Sequence, residues 1–338
     1  MELEDSELVP HQKVVDRFRR DLDELIEADA RIGIAVSGGP DSLALLLLAA
    51  AARPGQVEAA TVDHGFRAES RDEAEMVAGV CKQLQVPHQI LTLEWEELPS
   101  SNVQALARRR RYDELGIWAL GSGLRAVCTA HHADDQAETL LMRLSRGSGV
   151  SGLAGARPRV PLTGGSEHEE HQVWLIRPVR RWRRSALAQI VCAAGIDAVD
   201  DPSNADERYD RTRARALLKN NAWLDPVRLA AVADHCADAD EAMRWVAWRE
   251  YSQRSSRDGF TIDPAGLPYE LQRRLLADSI EMLTNERPPG PDLIRALDAL
   301  LEGGTTTLAG LKLEGGASWR FSPAPPRRPT KHKQQSEE

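Results

Sequence analysis

Between Arg31 and Arg146, short β-rich runs alternate with helical stretches four times, and this alternation limits the possible folds more than any other feature. "RIGIAV" (31–36), "VEAATVD" (57–63), "HQILTL" (88–93) and "AVCTAHH" (126–132) read as strands. "SLALLLLAAAA" (42–52), the segment 69–85, the segment 102–120 and "DDQAETLLMRLSR" (134–146) read as helices. Strands separated by helices cannot pair as hairpins, so the pattern predicts an α/β fold, a parallel sheet wrapped by helices. An amphipathic helix over 11–29 precedes it. After it come an exposed loop at 157–172, a helix at 185–195 and a mostly helical stretch at 221–302. "TTTLAGLKLEGGASWRFSP" (305–323) predicts a small hairpin, and the tail beyond it has the composition of a disordered segment. The expected division is an N-terminal helix (1–30), an α/β domain (31–218), a second, mainly helical domain with its hairpin (219–323) and a tail (324–338).

Parallel sheets of this kind bind ligands at the carboxyl ends of their strands. The chemically distinctive residues fall there. After the first expected strand comes Ser37-Gly38-Gly39-Pro40-Asp41-Ser42. Its glycines permit a tight turn with exposed N–H groups, its serines add hydroxyls, and the following helix adds its positive end. The loop suits an anion such as pyrophosphate, or is a plain turn with Pro40 at the first helical position. It has no lysine. Asp41 cannot neutralise phosphate itself but can hold Mg²⁺, so a magnesium–nucleotide is the natural ligand.

After the fourth strand comes "HHADDQAET" (131–139). Asp135 and Glu138 are three apart and share a helix face, and Asp134 lies four before Glu138. Asp135-x-x-Glu138 also fits a helix-start capping pattern, which leaves His131, His132 and Asp134 unexplained. Three acids suit a metal or an ammonium group. Asp63-His64 after the second strand either faces a nucleoside or makes a turn. In "RRRRY" (108–112) four consecutive arginines cannot share one helix face, so some only solvate the surface. Arg211 and Arg215 share a face of an expected basic helix.

Bulk properties narrow the class. Net charge is −9, but "RPVRRWRR" and "ERYDRTRARALLK" concentrate arginine, and such faces bind polyanions despite an acidic total. The four cysteines, Cys81, Cys128, Cys192 and Cys236, form no C-x-x-C pair, which argues against a disulfide scaffold or a cysteine-ligated metal. No apolar run is long enough to span a membrane and the N-terminus is acidic, so a cytoplasmic protein with no membrane partner is expected.

"SGGPDS" resembles the pyrophosphate loop of the ATP pyrophosphatase-type (PP-loop) enzymes, which split ATP into AMP and pyrophosphate. With "VDHGFR", "NVQALARRRRY", "HHADDQAETLLMRLSRGSGVSGLAG" and "DPSNADERYDRTRAR" in that order, the chain from about Arg31 to Leu218 resembles the tRNA(Ile)-lysidine synthases. The resemblance implies a PP-loop adenine-nucleotide hydrolase-like fold and an AMP-forming ligase. Its substrates would be ATP with Mg²⁺, free lysine and an isoleucine tRNA with a CAU anticodon. It implies that Ser37, Gly38, Gly39, Pro40, Asp41 and Ser42, with Asp63, His64 and His131, hold ATP, the metal being at Asp41. Arg111 would meet the α-phosphate. Asp135 and Glu138, with His132 and Asp134, would hold lysine, and Arg208, Arg211, Arg213 and Arg215 would touch tRNA. It also raises a homodimer. The rival readings are a tRNA thiolase of the same superfamily, a metal-dependent phosphoesterase using the histidine–aspartate pairs, and a non-catalytic nucleotide-binding regulator.

Overall fold

The computed structural model describes residues 8–63, 65, 69–93, 95, 103–162, 172–199 and 210–325. The chain divides into two compact units between Ala237 and Asp238.

In the first unit, α1 (Gln12–Asp23) leads to β1 (Ile32–Ala35), α2 (Pro40–Ala52), β2 (Val57–Asp63), α3 (Glu69–Gln83), β3 (His88–Thr92), α4 (Val103–Gly121), β4 (Ala126–Cys128) and α5 (Ala133–Leu144). These match the expected elements to within a few residues. α6 (Val150–Leu153), β5 (Arg159–Pro161), β6 (Trp174–Ile176), α7 (Arg184–Ala193) and α8 (Asp210–Asn220) follow. The strand order is β3-β2-β1-β4-β6-β5, parallel except for β5, which runs antiparallel to β6. Two strands were not expected. β6 has three residues and β5 adds only three more inside the stretch read as an exposed loop. So short a run has no readable period, and Pro161 is tolerated because β5 is an edge.

The chain builds outward from β1 to β2 and β3 on one side, then crosses back to place β4 on the other. That reversal opens a crevice between the carboxyl ends of β1 and β4. The central strands β1 and β4 are apolar and buried because both faces of the sheet are covered there, while β3 and β5 at the edges are largely exposed. α2 is buried on nearly every side, with Leu43 through Ala49 inaccessible, and packs against α1 and α7. α1 is amphipathic, turning Val15, Phe18 and Leu22 inward, and Trp182 packs edge-on to Phe18 at 6.5 Å. Gly33 in β1 is required by packing. A Cβ there would lie 2.6 Å from the Trp118 ring of α4 and 2.9 Å from Leu124.

The division between units falls within α9 (Pro226–Arg254), later than Leu218. The second unit adds β7 (Thr261–Ile262), α10 (Tyr269–Thr284), α11 (Gly290–Leu301), β8 (Thr305–Leu308), β9 (Leu311–Glu314) and β10 (Trp319–Pro323). Where a hairpin was expected, a four-stranded antiparallel sheet forms in the order β7-β10-β9-β8. β7 comes from the stretch read as helical, and its two residues are too few to interrupt that reading. The core joins Leu275, Leu276, Ile280, Leu297, Trp319 and Phe321. Arg274 and Asp240, both buried, pair at 2.7 Å.

Candidate active site

The glycine loop leaves β1 at the crevice. Gly38 has φ +81°, a conformation that favours glycine, and its carbonyl accepts from the Val199 N–H at 3.1 Å. Ser42 braces the turn from inside: its Oγ donates to the Gly39 carbonyl at 2.9 Å and accepts from the Ser37 N–H at 3.1 Å. Ser42 is therefore a strut of the loop. Its hydroxyl also lies 3.2 Å from that of Ser37. Pro40 occupies the first turn of α2 and no side chain caps that helix, so its positive end is left open to the crevice.

Asp41 sits in that first turn. Its Oδ2 is 3.3 Å from His132 Nε2 and 3.8 Å from Arg184 Nε, while Oδ1 is buried without a hydrogen-bond partner. Such an orphaned carboxylate oxygen is costly unless something positive arrives to meet it.

The segment after β4 supplies the opposite wall. His132 and Asp135 form a reciprocal cap on α5: the Asp135 N–H donates to His132 Nδ1 at 3.2 Å, and the His132 N–H donates to Asp135 Oδ2 at 3.1 Å. The cap therefore joins His132 to Asp135, whereas the sequence pattern pointed to Asp135 and Glu138. Burial opposes charging of His132, but hydrogen bonding to Asp41 and the fields of Asp135, Asp41 and Asp134 outweigh it and raise its pKa. Glu138 is thus free of capping. It is only 2% exposed, and it accepts from Arg211 Nε at 2.7 Å and Arg215 Nε at 2.8 Å. Arg211 also bonds Asp135 Oδ1. Burial lowers the Arg211 pKa, and the two acids more than reverse that. In this structure the acids grip cations of their own chain, and Arg211 and Arg215 are engaged by α5. Arg213 is exposed. Asp134 has a different task, accepting from the Arg184 N–H at 2.8 Å and from Arg183, which fastens the start of α7.

His131, beside Thr129 Oγ1 at 2.9 Å, behaves in the opposite way to His132. Burial, then the nearby Arg177, Arg108, Arg111 and Arg211, lower its pKa to about 3. The imidazole is neutral at pH 7. The unfolded chain takes up this proton near pH 6.5, so this group's contribution to stability is full above 6.5 and is lost as pH falls toward 3. Thermal melts between pH 7 and pH 4.5 should show a shallower acid loss in His131→Gln than in the unsubstituted protein; identical slopes would contradict a neutral His131.

Of the four consecutive arginines, Arg108, Arg109 and Arg110 are exposed and only Arg111 is partly buried. Its Nη2 lies 3.4 Å from the Tyr112 hydroxyl and its Nε is buried without a partner. The basic run "RPVRRWRR" is not a single surface: Arg177 and Arg180 are buried, and Arg180 pairs with Asp234. Sequence reasoning missed Tyr112 and Arg177. A sign of Arg177 was its place directly after an apolar run ending at Ile176, which is a strand end. Asp63 closes a turn, accepting from the Gly65 N–H at 2.9 Å. His64 and Arg208 lie outside the described residues. Among the described residues, no three His, Cys, Asp or Glu side chains gather as a metal cage. A cavity of about 540 Å³ lies beside α3 and the end of α7, lined by Met76, Val80, Ala194 and Ile196 among others; it holds none of these groups.

An uncapped helix start after a glycine turn, with acids and cations around it at a sheet's switch point, defines a nucleotide-handling α/β protein. The family described as the PP-loop domain matches residues 11–222, more than half of the chain, and the chain belongs to it. It falls among that family's tRNA(Ile)-lysidine synthases. The enzyme of that name from Zymomonas mobilis subsp. mobilis is 46% identical over 301 residues, covering 88% of this chain and 90% of that protein. The one from Novosphingobium aromaticivorans is 46% identical over 315 residues, covering 92% and 94%. The solved structure of the U34-tRNA thiolase NcsA from Methanococcus maripaludis, with its 4Fe-4S cluster, matches with a TM-score of 0.53 at 15% identity. That match covers 68% of this chain and 80% of NcsA, and it bears on the fold alone.

Proposed function

We propose that this enzyme ligates lysine to C2 of the wobble cytidine of an isoleucine tRNA with a CAU anticodon, consuming ATP and releasing AMP and diphosphate. The observation that carries the reading is the 46% identity to tRNA(Ile)-lysidine synthases along nearly the whole of both chains. The crevice supports it by pairing an anion-binding helix start with a carboxylate pair that already binds cations.

In the first step the cytidine O2 attacks the α-phosphorus of ATP and diphosphate leaves. The Ser37–Ser42 loop and the open end of α2 hold the departing diphosphate, and Arg111 offsets charge on the α-phosphate. Asp41 fits Mg²⁺, since its buried Oδ1 has no partner; it would hold the ion, which would supply the positive charge that a lysine-free loop lacks. His131, His64 and Asp63 border the nucleotide. In the second step an amine of lysine attacks C2, the C2–O2 bond breaks and AMP leaves with that oxygen. Asp135 and Glu138 hold the lysine ammonium in the place Arg211 and Arg215 fill here, and a carboxylate takes the proton that the amine sheds. His132 and Asp134 set the wall around them. Arg213 and Arg208, with Arg211 and Arg215 once displaced, face tRNA phosphates. The reading includes a cytoplasmic setting, where tRNA and free lysine meet, and a homodimer. Among the described residues no helix is long and apolar enough to cross a membrane.

The thiolase alternative calls for reactive, grouped cysteines. Burial pushes the Cys81 and Cys128 thiols up to about 12, and the four thiols are all free. The deciding assay supplies ATP, Mg²⁺, labelled lysine and the CAU-anticodon tRNA. Labelled lysidine is the expected product, and folded protein that incorporates no lysine would refute the reading.

A further inference from the structure

Arg177 stands at the carboxyl end of β6, next to the strand that delivers His131, and is only 7% exposed. Its Nη1 donates to the Arg157 carbonyl, its guanidinium is close enough to Tyr112 to act on it electrostatically, and its Nε is buried without a partner. Arg111 approaches the same hydroxyl from α4. Among the described residues, no carboxylate pairs with Arg111 or Arg177. A buried guanidinium without a counter-charge is costly, so the arrangement is built for an anion that arrives from outside. Local fields agree. Burial alone would raise the Tyr112 pKa, but Arg111, Arg108 and Arg177 bring it below the ordinary phenol value. Burial first, and then the same guanidiniums, lower the His131 pKa and keep the imidazole neutral.

The hydroxyl chemistry adds direction. A phenol has two acceptor lone pairs and one proton. Arg111 donates to the Tyr112 oxygen at 3.4 Å and the charge of Arg177 lies close by, so the oxygen faces cationic donors and its O–H is left to give. We propose that Tyr112 donates this hydrogen bond to the nucleotide's α-phosphate, and later to the phosphate of the adenylated cytidine. Arg177 is the positioning residue that fixes Tyr112 and, through it, the guanidinium of Arg111. The inference deepens the AMP-forming reading above and rests on it.

The test compares AMP with adenosine as ligands, because the ratio of their dissociation constants isolates the phosphate. Calorimetric titrations of the unsubstituted, Tyr112→Phe and Arg177→Gln proteins should show the ratio shrinking about tenfold in each variant, the scale of one hydrogen bond to a charged group. Adenosine affinity should stay within about twofold, since the nucleoside does not meet these groups. Tyr112→Phe removes a single oxygen, so it remains informative if Arg177→Gln folds poorly. An unchanged ratio in Tyr112→Phe, or parallel loss of AMP and adenosine affinity, overturns the proposal. Lysine incorporation by the unsubstituted protein is scored separately, so its failure would refute the lysidine reading without deciding the phosphate ratio.

Discussion

An Asp135→Asn enzyme should release diphosphate from ATP and tRNA at close to the normal rate, yet transfer lysine about 100-fold more slowly, the cost of a lost charge-assisted hydrogen bond of about 2–3 kcal/mol. The two oxygens of Asp135 have separate duties. Oδ2 accepts from the His132 N–H and caps α5, while Oδ1 accepts from Arg211. An asparagine can keep its carbonyl oxygen toward His132, so the cap survives and the helix stays in place. Its amide then turns a donor toward the cation site, where a carboxylate had been. A lysine ammonium placed there loses its counter-charge and meets another donor. The glycine loop, Asp41 and Arg111 are untouched, so the adenylation half is spared. Diphosphate release without lysine, followed by labelled-lysine transfer, separates the two steps. Equal loss in both would count against the lysine-holding role.

The crevice was legible in the sequence because its parts are local. A strand, a glycine turn and a helix start follow one another within Ile32–Ser42, and a strand, a short histidine-bearing turn and a helix start follow one another from Ala126 to Glu138. Burial of both sheet faces makes such strands uniformly apolar, so they stand out from the helices between them. What escaped depends on contacts far apart in the chain. That Glu138 pairs with Arg211 and Arg215 follows from α8 packing on α5, and no spacing within either helix encodes it. The cap between His132 and Asp135 was hidden because a histidine nitrogen stood where Ser, Thr, Asp or Asn is the usual signal. Asp134 looked equivalent to its neighbour, yet successive helical residues point about 100° apart, and only the fold shows that it meets α7. Arg177 was lost inside an arginine-rich run, where composition cannot separate a buried guanidinium from solvated ones.

Replacing Glu138 with alanine should be the more damaging change at the acid pair, in stability as well as in lysine transfer. The carboxylate is buried and holds two guanidinium groups, one through each oxygen. Breaking a buried pair from one side costs about 3–5 kcal/mol when the abandoned charge stays buried. Here the side chains of Arg211 and Arg215 are 50% and 32% exposed, so both can turn to water and the cost should fall nearer 2–3 kcal/mol. At roughly 2–4 °C per kcal/mol for a unit of this size, the melting temperature should drop by about 6 °C. α8 is held to α5 through these pairs, so limited proteolysis near Asp210 should quicken as well. Glu138→Gln keeps the volume and one acceptor and should fall between the two. A double-mutant cycle completes the argument. If the pair secures α8, Glu138→Ala combined with Arg215→Ala should cost about 1 kcal/mol less than the sum of the single changes, because the second substitution removes an interaction already gone. Strict additivity would mean that Arg215 holds α8 through other contacts, and that Arg211 is the guanidinium through which Glu138 secures the helix.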